Sequence, residues 1–371
     1  MLYVNDLVKQ FKAPSTDGET RSNGVDGVSF EVRPGELFTL LGPSGCGKTT
    51  TLRSIAGLEH PDSGHIRLGD HVLFDGARKI DRPANRRGLA MVFQSYAIWP
   101  HMSVFRNVAF PLEIAPRRSR LSRGQIRERV HRALDTVGLG AFAQQNATRL
   151  SGGQQQRLAL ARSLVTEPAV VLLDEPLSNL DAKLRESMRI ELKRLQREMG
   201  LTAVYVTHDQ AEALSMSSRV AIMDAGKLVQ LGRPREIYGA PVDRFVADFL
   251  GLANFVEGEV LTTTTGVTAV RTDIGVIRAG SDGSRPNGEP VLLCLRPEHL
   301  VISTTQAATP PANELEGKLL ATAFLGDRVD HVVALGPTEL RVRSHSAVRI
   351  RRDAAVYLTI APEDVVVLPK L

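Results

Sequence analysis

Apolar residues run almost without a break through Leu37–Leu41, Ala169–Leu173 and Thr202–Val206. Runs of this kind suit parallel strands covered on both faces. Between the last two, Leu184, Met188, Leu192, Leu195 and Met199 recur at spacings of three and four, the stripe of a helix. Strand and helix patterns alternate in this way to about residue 240, which predicts an α/β fold with a mainly parallel sheet. Ser103–Ile114, Ser122–Val137 and Gln154–Val165 predict three helices in a row, a helical subdomain over about residues 95–165. Past Pro241 the period changes. A short helix over Asp243–Leu250 leads into alternating segments, among them Val256–Leu261, Val291–Leu295 and Ala355–Ile360. Polar, Gly- and Pro-containing stretches such as Ser281–Pro290 and Thr304–Asn313 separate them. This predicts a small all-β barrel domain over 241–371, after a first domain over 1–240. Lys12–Gly24 reads as a polar excursion between two early strands.

Composition narrows the class. With 371 residues, 43% of them hydrophobic, the chain is long enough for two cores and too apolar to be disordered. No apolar run approaches the roughly 20 residues of a membrane span. The N-terminal stretch lacks a basic flank followed by an apolar region, so no secretion signal is expected. Cys46 and Cys294 make no disulfide framework or metal-ligand spacing, which fits a reducing cytoplasm. The 46 basic and 41 acidic residues leave a mild charge of +5, without the concentration expected of a nucleic-acid binder. Arg117, Arg118, Arg120 and Arg123 read as a solvated loop entering a helix, and Arg349, Arg351 and Arg352 as solvated too.

The strongest chemical signal is Gly42-Pro43-Ser44-Gly45-Cys46-Gly47-Lys48-Thr49, which fits G-x-x-x-x-G-K-[ST] between an apolar strand and a helix predicted over Thr50–Leu58. Glycines in such a loop let successive N–H groups converge on phosphates, and the helix N-terminus adds to them. Lys48 supplies a point charge for the β- and γ-phosphates, and the Thr49 hydroxyl can ligate Mg²⁺. Cys46 reads as a small filler, with a redox role as the alternative. Asp174 ends a second buried strand and suits the metal, while Glu175 beside it can deprotonate an attacking water or be a plain strand-end carboxylate. His208, closing the third strand, is a structural histidine or a ligand at the carboxyl edge of the sheet.

Further stretches give the pattern a family. Leu150-Ser151-Gly152-Gly153-Gln154-Gln155-Gln156-Arg157 resembles the signature motif of ABC-type ATPases. Gln94 in VFQSYAIWPHMSV resembles their Q-loop, Ser178-Asn179-Leu180-Asp181 their D-loop, and Val206-Thr207-His208-Asp209 their H-loop. With the phosphate loop and Asp174-Glu175, the motifs fall in the family's order and spacing. The resemblance implies a P-loop NTPase core that binds ATP with Mg²⁺ through residues 42–50, including Thr50. It implies a head-to-tail homodimer in which Ser151, Gly152, Gly153 and Gln154 of one copy cap the γ-phosphate held by the other, with Asp181 nearby. Thr49, Gln94 and Asp174 would serve the metal; Glu175, His208 and Gln94 would serve catalysis; Phe11 would stack on adenine.

The segment beyond 241 resembles the OB-like regulatory β-domain of TOBE type that follows the ATPase in maltose, polyamine and ferric-iron importers. Phe245–Gly251, Asn254-Phe255 and Arg296-Pro297-Glu298-His299-Leu300 carry that likeness. Arg296, Glu298 and His299 could equally be a satisfied structural cluster. The expected role is the ATPase of a bacterial importer on the cytoplasmic face of the inner membrane, with two permease subunits and an extracytoplasmic binding protein as partners and no nucleic acid. Ala97–Met102 and Ala109–Leu112 lie nearer to ferric-iron and polyamine importers than to sugar importers. A sugar importer of the maltose type is the alternative. A soluble ABC ATPase of DNA repair or translation is a distant one, since the chain has one cassette and a β-tail.

Overall fold

The computed structural model describes residues 1–13, 20–114, 121–264, 266–280, 283, 285–307 and 311–370. Two compact units divide the chain, Met1–Pro234 and Arg235–Leu371.

In the first unit, β1 (Leu2–Ala13) and β2 (Thr20–Val32) form a long antiparallel hairpin. After β3 (Leu37–Leu41) and helix α1 (Lys48–Ala56), the strands β4 (Ser63–Leu68), β5 (His71–Asp75) and β6 (Ile80–Asp81) extend it to a sheet ordered β2-β1-β4-β5-β6. A second sheet joins β3 to β7 (Leu89–Val92), β8 (Val170–Asp174), β9 (Ala203–Thr207), β10 (Arg219–Asp224) and β11 (Lys227–Gly232). Its order is β11-β10-β3-β9-β8-β7, and only the edge strand β11 runs antiparallel. Between β7 and β8 lie α2 (Val104–Glu113), α3 (Arg123–Thr136) and α4 (Gly152–Leu164). Helix α5 (Ala182–Glu198) precedes β9, and α6 (Gln210–Met216) follows it.

The three apolar runs are unbroken because both faces of the parallel sheet are covered. Phe38, Leu40, Leu172, Val204 and Val206 share one core with the first sheet and with Leu52 and Ile55 of α1. Leu37, Val171, Leu173 and Tyr205 face the other way, into a core with α2–α5. Of the α5 stripe, Met188, Leu192 and Leu195 are buried, whereas Met199 caps the helix and is 42% exposed. Truncating a fully buried leucine here, such as Leu40 or Leu172, would cost roughly 2–5 kcal/mol. Local chemistry sets the helix starts. Ser103 and Ser122 accept from the third backbone N–H of α2 and α3, a cap worth about 1 kcal/mol.

One expectation is corrected. Lys12–Gly24 is not an excursion in its outer parts, because Phe11 pairs with Ser22, Lys12 with Arg21 and Ala13 with Thr20. Strand β2 is an edge, where ladder hydrogen bonds hold polar residues that a burial pattern alone assigns to a loop. Positions 14–19, like Arg117, Arg118 and Arg120, lie outside the described residues. Arg123 opens α3, and Arg349, Arg351 and Arg352 are exposed.

The second unit contains α7, which begins at the boundary (Pro234–Gly239), and α8 (Arg244–Phe249). Strands β12 (Asn254–Thr264), β13 (Val267–Thr272), β14 (Gly275–Gly280), β15 (Pro290–Leu295), β16 (Val301–Ser303), β17 (Glu314–Phe324), β18 (Arg328–Leu335), β19 (Thr338–His345), β20 (Ala355–Thr359) and β21 (Val365–Pro369) follow. They form two antiparallel sheets, β14-β13-β12-β15-β21 and β16-β20-β17-β18-β19, around one core. The result is the OB-like all-β fold expected. The Arg296–His299 cluster is satisfied in part, since Arg296 Nη2 and His299 Nδ1 are buried without a hydrogen bond. Arg296 donates to the carbonyls of Ala247, Gly251 and Leu252 and lies 4.3 Å over the Tyr238 ring, while Tyr238 donates to Glu298. Burial and that bond raise the Tyr238 phenol to about 12. His299 stands 3.4 Å from Asp364.

Candidate active site

Parallel pairing brings four strand ends to one edge of the sheet. Leu41 lies beside Thr207, Asp174 beside Val206, and Val92 beside Leu173. The phosphate loop, Asp174-Glu175, His208 and the Gln94 segment therefore emerge together at the carboxyl ends of β3, β8, β9 and β7, where α/β sheets bind ligands.

The loop 42–47 runs from β3 into α1, which starts at Lys48, two residues before the sequence pattern puts it. No side chain caps α1, so the N–H groups of its first turn face the loop. Gly47 is required twice: its φ is 99°, and a Cβ there would collide with the Gly24 carbonyl. The Lys48 ammonium is buried inside the loop, donating to the carbonyls of Gly42 at 2.8 Å and Pro43 at 2.7 Å. Cys46 is buried, and that burial pushes its thiol up despite the nearby Lys48; it is a protonated filler. Phe11 lies with its ring against Gly24, the residue whose carbonyl abuts Gly47, and the Lys9 ammonium stands 5.5 Å from the centre of that ring.

Across the strand end, Thr49 Oγ1 donates to Asp174 Oδ1 at 3.1 Å, and Arg53 stands 3.8 Å from the other carboxylate oxygen. Burial raises the Asp174 carboxyl, while the Thr49 bond and Arg53 pull it back. At Glu175 the backbone turns left-handed, with φ 44°, a conformation that costs an L-residue roughly 1–2 kcal/mol. That turn is held by the Glu175 N–H on Val206 and by Ser178, whose hydroxyl and N–H donate to the Glu175 carbonyl. It presents Glu175 Oε1 to His208 Nδ1 at 3.1 Å.

Beneath His208 is a network the sequence reading missed. Tyr205 and Thr207 both donate to Glu212 Oε2 at 2.7 Å, and Thr207 Oγ1 accepts from the Asp209 N–H at 2.9 Å. Arg185 reaches from α5 to Asp209 at 3.7 Å and donates to the Leu180 carbonyl at 3.0 Å. Burial raises the Glu212 carboxyl, whereas its two donors lower it. The available signal was Asp209-x-x-Glu212 at a helix start, the spacing of a capping box. Asp209 does cap α6, but the Glu212 carboxylate turns inward instead.

The other expected residues lie at the periphery of this cluster. Gln94 is exposed two positions past β7, and its carbonyl accepts from Asn179 Nδ2 at 2.7 Å. Ser151 and Gln154 form a reciprocal capping box that starts α4 at Gly152. Gly152 and Gly153 face Leu180 and Leu184, and Asp181 caps α5. Among the described residues, no hydrogen bond or ion pair joins Ser151–Gln154 to the phosphate loop of the same chain.

Residues 25–178 match a family model described as ABC transporter, and residues 293–368 one described as TOBE domain. An Fe(3+) ions import ATP-binding protein of Rhizobium meliloti is 44% identical over 91% of this chain and 89% of its own length. The chain belongs to the ABC transporter ATP-binding family. A spermidine/putrescine import ATP-binding protein of Thermobifida fusca is 42% identical over 95% of the chain and 90% of its own. Among solved structures, a dimeric ATP-binding cassette in a post-hydrolysis state with ADP and phosphate is similar at a TM-score of 0.53 and 30% identity. That likeness covers 63% of this chain and 99% of the cassette. The protein is thus an ABC-type ATPase with a TOBE domain, and cassettes of this kind bind nucleotide.

A magnesium ion fits the residues present. Mg²⁺ takes hard oxygen ligands and usually only one or two from protein, the rest coming from phosphate and water. The Thr49 hydroxyl and the buried Asp174 carboxylate meet beside the phosphate loop and offer those donors.

Proposed function

We propose that this chain is the ATP-hydrolysing, energy-coupling subunit of a bacterial ABC importer for ferric iron or a polyamine of the spermidine/putrescine kind. The observation that carries the hydrolytic part is the Glu175–His208 contact at 3.1 Å, one residue beyond the Asp174–Thr49 pair. The names of the relatives support the direction of transport and the solute.

In this reading the amides of residues 42–50 and the Lys48 ammonium hold the phosphates, with Phe11 on the adenine. Thr49, Asp174 and Gln94 hold Mg²⁺, which neutralises phosphate charge when bound. Glu175 accepts a proton from the attacking water, and His208 fixes Glu175 and reaches the γ-phosphate. Ser151, Gly152, Gly153, Gln154 and Asp181 serve the nucleotide of a second copy. The likeness to a dimeric cassette supports that arrangement. ATP can then drive closure, because it contacts both copies only when they meet.

Two permease subunits would dock in the groove of about 360 Å³ lined by Phe93, Trp99, Pro111 and Arg162, and an extracytoplasmic protein would deliver the solute. No helix among the described residues is long and apolar enough to cross a membrane. The subunit would sit peripherally on the cytoplasmic face of the inner membrane, held by the permeases.

The test is reconstitution in proteoliposomes with the permease and binding protein that co-purify with it. Hydrolysis is expected to rise several-fold when the binding protein carries Fe(3+) or spermidine. Stimulation by maltose instead would move the solute to sugars, and none by any loaded binding protein would overturn coupling.

We further propose residues 1–240 as the ATPase domain and 241–371 as the regulatory domain. Each phosphate-site residue lies before residue 209. A chain ending at 240 is therefore expected to bind ATP and to dimerise on it, as light scattering would record. A folded truncation that cannot bind ATP would overturn the boundary.

A further inference from the structure

The Gln94 segment leaves β7 and turns at once through two consecutive non-glycine residues in the left-handed region, Tyr96 at φ 60° and Ala97 at φ 46°. L-residues hold that conformation only where their surroundings impose it. The Tyr96 N–H donates to the Phe93 carbonyl at 2.9 Å and the Tyr96 side chain is buried, but the two carbonyls of the turn share a single side-chain partner. Arg162 donates from Nη2 to the Tyr96 carbonyl and from Nη1 to the Ala97 carbonyl, each at 2.6 Å. Its guanidinium carbon lies 4.6 Å from the centre of the Trp99 ring. The residue is 9% exposed. Among the described residues no carboxylate pairs with it, and burial lowers its pKa. A buried cation balanced by two carbonyls and an indole face in the wall of the groove is a costly choice, since an apolar side chain there would carry no charge to desolvate.

The position of Arg162 in the fold suggests what that cost serves. Arg162 stands in the last turn of α4, a helix of 13 residues, hence about 20 Å long. Ser151 and its capping box form the other end. The second tie on the segment comes from the D-loop, where Asn179 donates to the Gln94 carbonyl at 2.7 Å. Gln94 is therefore flanked by holds from the two segments that, in the dimer of the proposed function, serve the other copy's nucleotide.

We propose that Arg162 is a positioning residue for hydrolysis: through the Tyr96–Ala97 turn it ties the placement of Gln94 at one ATP to the signature helix that covers the other. The inference rests on that dimer reading and on the role given there to Gln94. A fork of two parallel donors is needed, because the two carbonyls belong to adjacent residues and must be fixed together; a lysine offers a point charge without the planar fork.

The experiment is a double-mutant cycle on the full chain with Mg²⁺-ATP, using Arg162→Lys, Gln94→Ala and both together. Arg162→Lys is expected to lower kcat about tenfold with the ATP KM within about twofold of the parent. In the Gln94→Ala background it should lower kcat no further. Additive losses, or an effect confined to KM, would overturn the proposal. If Arg162→Lys fails to fold by circular dichroism, Trp99→Leu, which removes the ring under the guanidinium together with that ring's contact on Phe110, replaces it in the cycle with the same expected outcomes. Glu175→Gln is the control. Its retention of turnover would sink the catalytic reading itself, whereas loss of turnover there with an unaffected Gln94→Ala would sink only the present inference.

Discussion

Replacing Glu175 by Gln is expected to leave ATP binding near the parent level and to lower turnover by about 10²–10⁴-fold, the range of general-base assistance. The argument is geometric. The left-handed turn at Glu175 and the two Ser178 donors fix its carboxylate 3.1 Å from His208, and the adjoining Asp174 is engaged by Thr49. The two carboxylates therefore have separate partners, and in the proposed function separate tasks. Gln keeps the shape and one acceptor but cannot take a proton, so ATP should accumulate in the closed dimer. Single-turnover hydrolysis, with gel filtration in ATP, measures both effects. A variant hydrolysing at more than a tenth of the parent rate would remove Glu175 as the base.

The second large effect is at Lys48. Lys48→Ala should weaken ATP by about 10- to 100-fold, given roughly 1.5–3 kcal/mol for a hydrogen bond to a charged group, and should depress turnover as well. The ammonium is buried within the loop and held by the Gly42 and Pro43 carbonyls, and in the proposed function the phosphates come to that loop. Nucleotide titration followed by fluorescence is the measurement, with thermal unfolding to show that the loop's removal of two hydrogen bonds has not melted α1. Parent-like affinity and turnover would make the GKT match incidental.

Much of this protein is local in its sequence. The unbroken run Leu37–Leu41, the glycine spacing before Lys48 and the change of period after Pro241 each depend on neighbours a few residues away. They determine strand, phosphate loop and domain class without reference to the rest of the chain. Helix starts at Ser103, Ser122 and Ser151 are equally local, because a cap is a bond to a backbone N–H three residues on. The family likeness, too, rests on short motifs.

What the sequence did not disclose involves partners far apart along the chain or backbone that contradicts residue type. Polar residues 20–24 read as loop because composition reports exposure, whereas strand β2 is held by ladder bonds at an edge. The inward turn of Glu212 toward Tyr205 and Thr207 is invisible in the Asp209-x-x-Glu212 spacing, which predicts a cap. Glu175, Tyr96 and Ala97 take left-handed backbone that their side chains disfavour, and the local turns closed by Ser178 and Phe93 are completed by tertiary contacts from Val206 and Arg162. Sequence alone thus pointed to the phosphate loop, Asp174-Glu175 and His208 and to the strand ends that bear them, and passed over Glu212. The tertiary structure decided which groups touch and in what orientation, because a buried contact between distant residues is selected by the packing of the whole sheet rather than by the propensity of any segment.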